Sequence, residues 1–314
     1  MTRNLNPFYL AAGISFLFLV FFFILSALGL IQSEENAYLI GEASRWCERV
    51  SGGIFREPVN TLSNLGFMIV GLFLFWVLCN DPKNLNNPFI GINPISILYA
   101  SVVIYLGPGS MLMHATNTEW GGWADNLSMI MYIILPWLFN ILSMSKWSIN
   151  KFLITYVSIV VIYSIWRWFT DFELGINFNL FGVSIGLWVI SEVLYRFWSP
   201  TFRILSGFVG FIVLMLFGTM PNEVFENFNE YWWVILFWLP AVLSNEKPKH
   251  SRTYKWFILG MISYLSAFAI WLTGVPDHES CSPDSIIQAH GIWHLLTALA
   301  TYFFFLHYRS VKTI

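Results

Sequence analysis

The sequence predicts an all-α fold, a polytopic bundle of transmembrane helices. Three observations carry this prediction. Hydrophobic residues make up 57% of the 314-residue chain and charged residues only 11%, whereas a soluble domain is about a quarter charged. Apolar runs of about 17–25 residues, the length that crosses a hydrocarbon core, recur from one end of the chain to the other. Lysines and arginines gather in alternate connecting segments, the asymmetry that fixes membrane orientation. The remaining composition narrows the class. A net charge of −2 gives no basis for binding nucleic acid. The three cysteines, Cys47, Cys79 and Cys281, include no CxxC pair and build no zinc framework. Residues 1–314 are therefore expected to form a single integral membrane domain.

The first apolar run, 8–31, exceeds the apolar core of about 7–15 residues found in signal peptides, so it is expected to be a retained span. An outer segment follows, to residue 57. Further runs occupy 58–79, 93–114, 124–143, 150–168, 178–197, 203–219, 229–243, 254–273 and 286–306, about ten in all, the eighth being short. With the N-terminus inside, the inner segments hold Arg3, Lys83, Lys146, Lys151, Arg196, Arg203, Lys247, Lys249, Arg252, Lys255, Arg309 and Lys312, twelve of the sixteen Lys and Arg. Only Arg45, Arg49, Arg56 and Arg167 fall outside. Both termini are thereby expected inside.

In this topology three polar stretches reach the outer side at one depth. "GPGSMLMHATNTEWGGWADNLSMI" carries Ser110 and His114, four residues apart, and Asp125 near the start of the next span. "QAHGIWHLL" carries His290 and His294, again four apart and so on one helical face. "RWCERVSGGIFREPVNTLSNLGF" precedes the second span. Three histidines at one depth suit zinc, since three nitrogen ligands leave an open fourth position. Zinc in such a site brings the pKa of bound water to about 7. Asp125 is then placed to move a proton, and the Ser110 hydroxyl to donate to a developing oxyanion.

Each residue also has a plainer reading. A buried histidine commonly bonds a neighbouring carbonyl or hydroxyl, a serine in "GPGS" commonly lets helices approach, and an aspartate near a helix N-terminus is favoured by the dipole. His250, His278 and His307, in loops or at a span end, read as solvated. Intramembrane His and Asp also build relays, so the alternative is a membrane receptor or transporter with a structural or relay His/Asp metal site.

The stretches "WCE" with "EPVNTLSNL", "GPGSMLMHAT", "WADNLSMI" and "QAHGIWHLLTALATY" resemble the alkaline ceramidase family, part of the seven-helix membrane hydrolases that include the adiponectin receptors. The resemblance implies a seven-helix core, here with about three extra spans, one of them 8–31. It implies hydrolysis of the amide of ceramide to a sphingoid base and a fatty acid, within the membrane and toward its outer (periplasmic or lumenal) side. It makes His114, His290 and His294 the zinc ligands, with Ser110 and Asp125 catalytic. The family's calcium site matches here at Trp46, Glu48 and Glu57. Arg45 and Val50 stand where an aspartate and an asparagine are called for, so calcium dependence is expected to be weak or absent. Cys47 and Cys281 both fall outside in this topology, and the family has a comparable bridge, so a Cys47–Cys281 disulfide is expected, with two unpaired thiols as the alternative. The partners implied are a ceramide-like lipid amide and membrane lipids; the oligomeric state is left open.

Overall fold

The computed structural model describes residues 4–31, 38–82 and 87–310, and the backbone of 312–313. Arg3 and Lys83, counted above among the inner charges, lie outside the described residues, and Lys312 is described by its backbone alone. In chain order the helices are α1 (Asn6–Ala27), α2 (Pro58–Ser63) running into α3 (Leu65–Asn80), α4 (Pro94–Thr116), α5 (Glu119–Ser143), α6 (Ile149–Phe169), α7 (Leu180–Arg196), α8 (Pro200–Leu205), α9 (Val209–Leu216), α10 (Pro221–Glu226), α11 (Leu239–Leu243), α12 (Tyr254–Trp271) and α13 (Ala289–Arg309). Among the described residues, strand is confined to the antiparallel pair His250–Ser251 and Lys312–Thr313.

Among the described residues, seven segments are long and apolar enough to cross a membrane: α1, α2 with α3, α4, α5, α6, α12 and α13. The chain is thus an all-α integral membrane protein. The runs expected at 178–197, 203–219 and 229–243 are helical but shorter. Helix α7 has 17 residues. A 3-10 turn at Ser206–Phe208 separates α8 from α9, and Trp232–Trp238 winds as 3-10 helix ahead of α11. Pro200, Pro221 and Pro240 each open a new helix in this region, because proline suits a first turn and breaks an interior. Helix α5 starts at Glu119, earlier than the expected 124, so Asp125 sits inside the helix and not at its start.

The chain divides into two compact units. The first comprises Met1–Ser128 and Arg252–Val311; the second comprises Met129–Ser251 and Lys312–Ile314. The second unit has its own buried polar contact, where Asn140 Nδ2 donates to Glu192 Oε2 at 2.9 Å and to Ser191 Oγ at 3.1 Å.

The first unit contains every candidate site residue. Helix α4 is started by Asn93, whose side chain accepts from the amides of Ile95 and Ser96 while Ser96 Oγ accepts from the Asn93 amide. It ends at Asn117, which adopts φ 51° and returns its amide to Met113; asparagine tolerates that left-handed turn. The sequence "GPGS" lets α4 lie against its neighbours. A Cβ on Gly107 would lie 2.9 Å from the Asn64 carbonyl, and one on Gly109 would lie 2.5 Å from Ser128 Cβ and 2.9 Å from the Ala124 carbonyl. Tyr99 Oη donates to the Thr301 carbonyl at 2.7 Å, tying α4 to α13, and Ser263 Oγ donates to Leu296 at 2.8 Å, tying α12 to α13. At the far end of α13 Arg309 grips Asp81 through two bonds of 2.6 and 2.7 Å.

His307 departs from its expected solvated place. Helix α13 runs on to Arg309, so His307 is fully buried, its ring packed on Tyr254 at 5.2 Å and Phe257 at 5.3 Å.

Replacing Gly109 with alanine drives a methyl into the Ser128 side chain and the Ala124 carbonyl between α4 and α5, and an overpacked contact of this kind costs about 1–3 kcal/mol. Gly122→Ala adds its methyl to open space on the same pair of helices. Thermal unfolding in detergent is expected to show a clear loss of stability for Gly109→Ala and none for Gly122→Ala.

Candidate metal centre and active site

The segment between α1 and α2 is fastened at three places. A disulfide joins Cys47 to Cys281, with an S–S distance of 2.02 Å. The Arg49 amide donates to the Pro283 carbonyl at 2.9 Å, and the Arg49 guanidinium holds both oxygens of Asp284 at 2.5 and 2.7 Å. That bond keeps the Asp284 carboxyl below the usual carboxylate range. Its contribution to holding the loop is therefore present above about pH 4 and fades as the pH falls through the lowered folded value. Finally, the amides of Arg56 and Glu57 donate to the last carbonyls of α4, at Ala115 and His114, at 3.1 and 2.9 Å.

This fastening brings Trp46, Glu48 and Glu57 beside the histidines. His114 stands near the end of α4 and His290 and His294 in the first turns of α13. All three are buried, and their ligand-type atoms lie within 4.8 Å of one another. His114 Nε2 and His290 Nε2 are 3.1 Å apart. The far nitrogens of two rings are tied. His114 Nδ1 donates to Glu57 Oε2 at 2.8 Å, because a carboxylate only accepts. His294 Nδ1 is 2.7 Å from Ser63 Oγ. The His290 ring lies flat on Trp46, with centroids 4.4 Å apart.

These residues fit a divalent metal. Two nitrogens held about 2.0–2.1 Å from one zinc ion at a tetrahedral angle lie about 3.3 Å apart, close to the 3.1 Å between the His114 and His290 nitrogens. Imidazole nitrogens with carboxyl oxygens close by are a donor set that divalent transition metals take.

The residues matched to a calcium site have partners within the chain. Glu48 accepts from the amides of Val59 and Asn60 at 2.7 and 2.8 Å, at the start of α2. Burial pushes its carboxyl above the usual range, against those two bonds. Glu57 accepts from Asn60 Nδ2 at 2.9 Å as well as from His114. Both carboxylates are buried and form no surface network with Arg45 or Arg56. Arg45 instead lies over the Trp46 ring, 4.9 Å from its centroid.

Ser110 and Asp125 join the group. Ser110 Oγ is 3.4 Å from His294 Nε2, and the Asp125 carboxyl lies near Ser110 and His114. Sequence reasoning missed Ser63 and Asn60, and did not pair Glu57 with His114. The signal was in "EPVNTLSNL": residues 57, 60 and 63 or 64 recur at helical spacing, so their polar groups share one face.

A family model described as Ceramidase matches residues 43–314. The chain belongs to the ceramidase family. Ceramidases are hydrolases of the amide bond of ceramide, so the substrate class is a lipid amide. The match begins before Trp46 and takes in all three histidines, but leaves out α1. No curated protein matches the chain.

Carboxylates that orient a metal-bound histidine typically change metal affinity by about 10–100-fold when lost. Glu57→Gln keeps the size of the side chain and removes its charge. Competition with a chromogenic chelator is expected to show metal binding weakened within that range.

Proposed function

We propose that the chain is a zinc-dependent amidase working within the membrane, cutting ceramide into a sphingoid base and a fatty acid. The observation that carries this reading is the convergence of His114, His290 and His294, with Asp125 and Ser110 beside them. His114, His290 and His294 would hold zinc, which when bound polarises the scissile carbonyl and makes a neighbouring water acidic.

The chain's own groups do the rest. Asp125 accepts the proton of the attacking water as its oxygen bonds to the carbonyl carbon. It then returns that proton to the amide nitrogen as the C–N bond breaks, leaving a carboxylic acid and an amine. General acid–base groups of this kind contribute about 10²–10⁴-fold. The Ser110 hydroxyl lies near Asp125; its proton turns freely and serves the oxyanion once the carbonyl oxygen gains charge. One such donor is worth about 10²–10³-fold. Glu57 and Glu48 act on the histidine centre and on α2, so activity is expected to persist in a calcium-selective chelator. With α7, Pro200–Leu216 and Trp232–Leu243 also crossing, the number of crossings is even; both termini are then read as inside and the site as lying toward the outer side, the orientation that puts twelve of the sixteen Lys and Arg on the other side of the spans.

Two measurements on the same preparations test the division of roles. Asp125→Asn and Ser110→Ala are expected to retain zinc and lose most turnover on ceramide in detergent micelles. His114→Ala and His294→Ala are expected to lose both. Loss of zinc from Asp125→Asn in proportion to activity would reassign Asp125 to holding a ligand. Zinc content unchanged in the histidine variants would remove the metal from the proposal.

A further inference from the structure

We infer that Ser63, with the Asn60 carbonyl behind it, is a positioning residue that fixes the tautomer of His294. This rests on the metal-site reading above and adds to it a residue from outside the ligand set.

The helix breaks between α2 and α3. At the end of α2 the Asn64 amide turns to the Thr61 carbonyl, 3.4 Å away. The Asn60 carbonyl takes side-chain donors instead. Ser63 Oγ donates to it at 3.0 Å and Asn64 Nδ2 at 2.8 Å. A serine hydroxyl has one proton and two acceptor lone pairs. With that proton given to Asn60, the oxygen can only accept from His294 Nδ1, 2.7 Å away. With the Ser63 oxygen facing it as an acceptor, Nδ1 carries the hydrogen. The opposite nitrogen, Nε2, is left with its lone pair toward His114, His290 and Ser110 Oγ.

The other tautomer would point a hydrogen into the histidine cluster and leave a lone pair against the Ser63 oxygen, or pull the Ser63 proton away from the Asn60 carbonyl. Burial sharpens the choice, since His294 is only 3% exposed and Asn60 wholly buried and water is not there to compensate. Helix α2 therefore serves two ligands through two chemistries. At its start Glu57 supplies a charged acceptor to His114, and at its end Ser63 supplies a neutral one to His294. His290, on Trp46, has no partner at Nδ1.

The test reads the tautomer itself. Full-length protein labelled with ¹⁵N-histidine and stripped of metal is reconstituted in lipid and its imidazole nitrogens are recorded by magic-angle-spinning NMR. His294→Gln assigns the signals by difference. The parent is expected to show His294 with hydrogen on Nδ1 alone, and Ser63→Ala a second population with hydrogen on Nε2. Zinc affinity, measured by chelator competition, is expected to fall about 10–100-fold in Ser63→Ala and to recover in Ser63→Thr, which keeps the hydroxyl. A parent His294 protonated on Nε2 would overturn the inference, as would a Ser63→Ala protein whose tautomer and zinc affinity both match the parent. Because the spectra are taken without metal, they stand whether or not zinc is the ion bound. Failure of the zinc reading alone would appear as weak affinity in a parent with the expected tautomer.

Discussion

An imidazole buried in an apolar bundle is costly unless its nitrogens find partners, and the first unit supplies them at Nδ1 of His114 and His294. A buried polar group left without a partner costs about 1–3 kcal/mol. Glu57 meets this need for His114 and brings a buried carboxylate of its own, which Asn60 Nδ2 then stabilises. Glu48 adds a second buried carboxylate, held by the amides that open α2. Each polar group recruits the next, so a six-residue helix of modest apolar content becomes fixed among three much longer ones.

Backbone proximity is the second requirement. Ser110 lies near both His294 and Asp125 because α4 meets α3 and α5 without a side chain between them at Gly107 and Gly109. Pro108 lies between those glycines, inside the helix. Small residues of this kind dominate close helix contacts in membranes, where lipid is as apolar as leucine and burial gives little drive for association. The plain reading of "GPGS" as a packing motif and its reading as part of a site are therefore compatible: the packing is what carries the serine to the histidines.

Much of this was legible in the residues. Hydropathy found every long span, because a run such as α1 is apolar on all sides and its length is set by the bilayer. The histidine cluster was legible too, since spacing by four put His290 and His294 on one face and charge asymmetry put His114 at their depth. Span number was harder to read. Apolar content marks Pro200–Leu216 and Trp232–Leu243 as strongly as a full span, whereas their prolines and 3-10 turns shorten them. His307 was misjudged because its place at the end of a run hid the last turn of α13, which carries it inward. Ser63 was invisible for another reason: a serine's value depends on which acceptor takes its proton, and that is decided by a break in the helix, not by composition.

The disulfide between Cys47 and Cys281 spans 234 residues, and α2 through α12 lie inside the ring it closes. Helix α13, with two of the three histidines, hangs just beyond it. A single cut in any connection within that ring, such as the one between α6 and α7, leaves one covalent molecule, with Glu57, His114, His290 and His294 still on connected chain. Such a nicked protein would migrate as a single species until a reductant parted it into two pieces. Its centre could thus outlive damage that would dismantle an unbridged bundle.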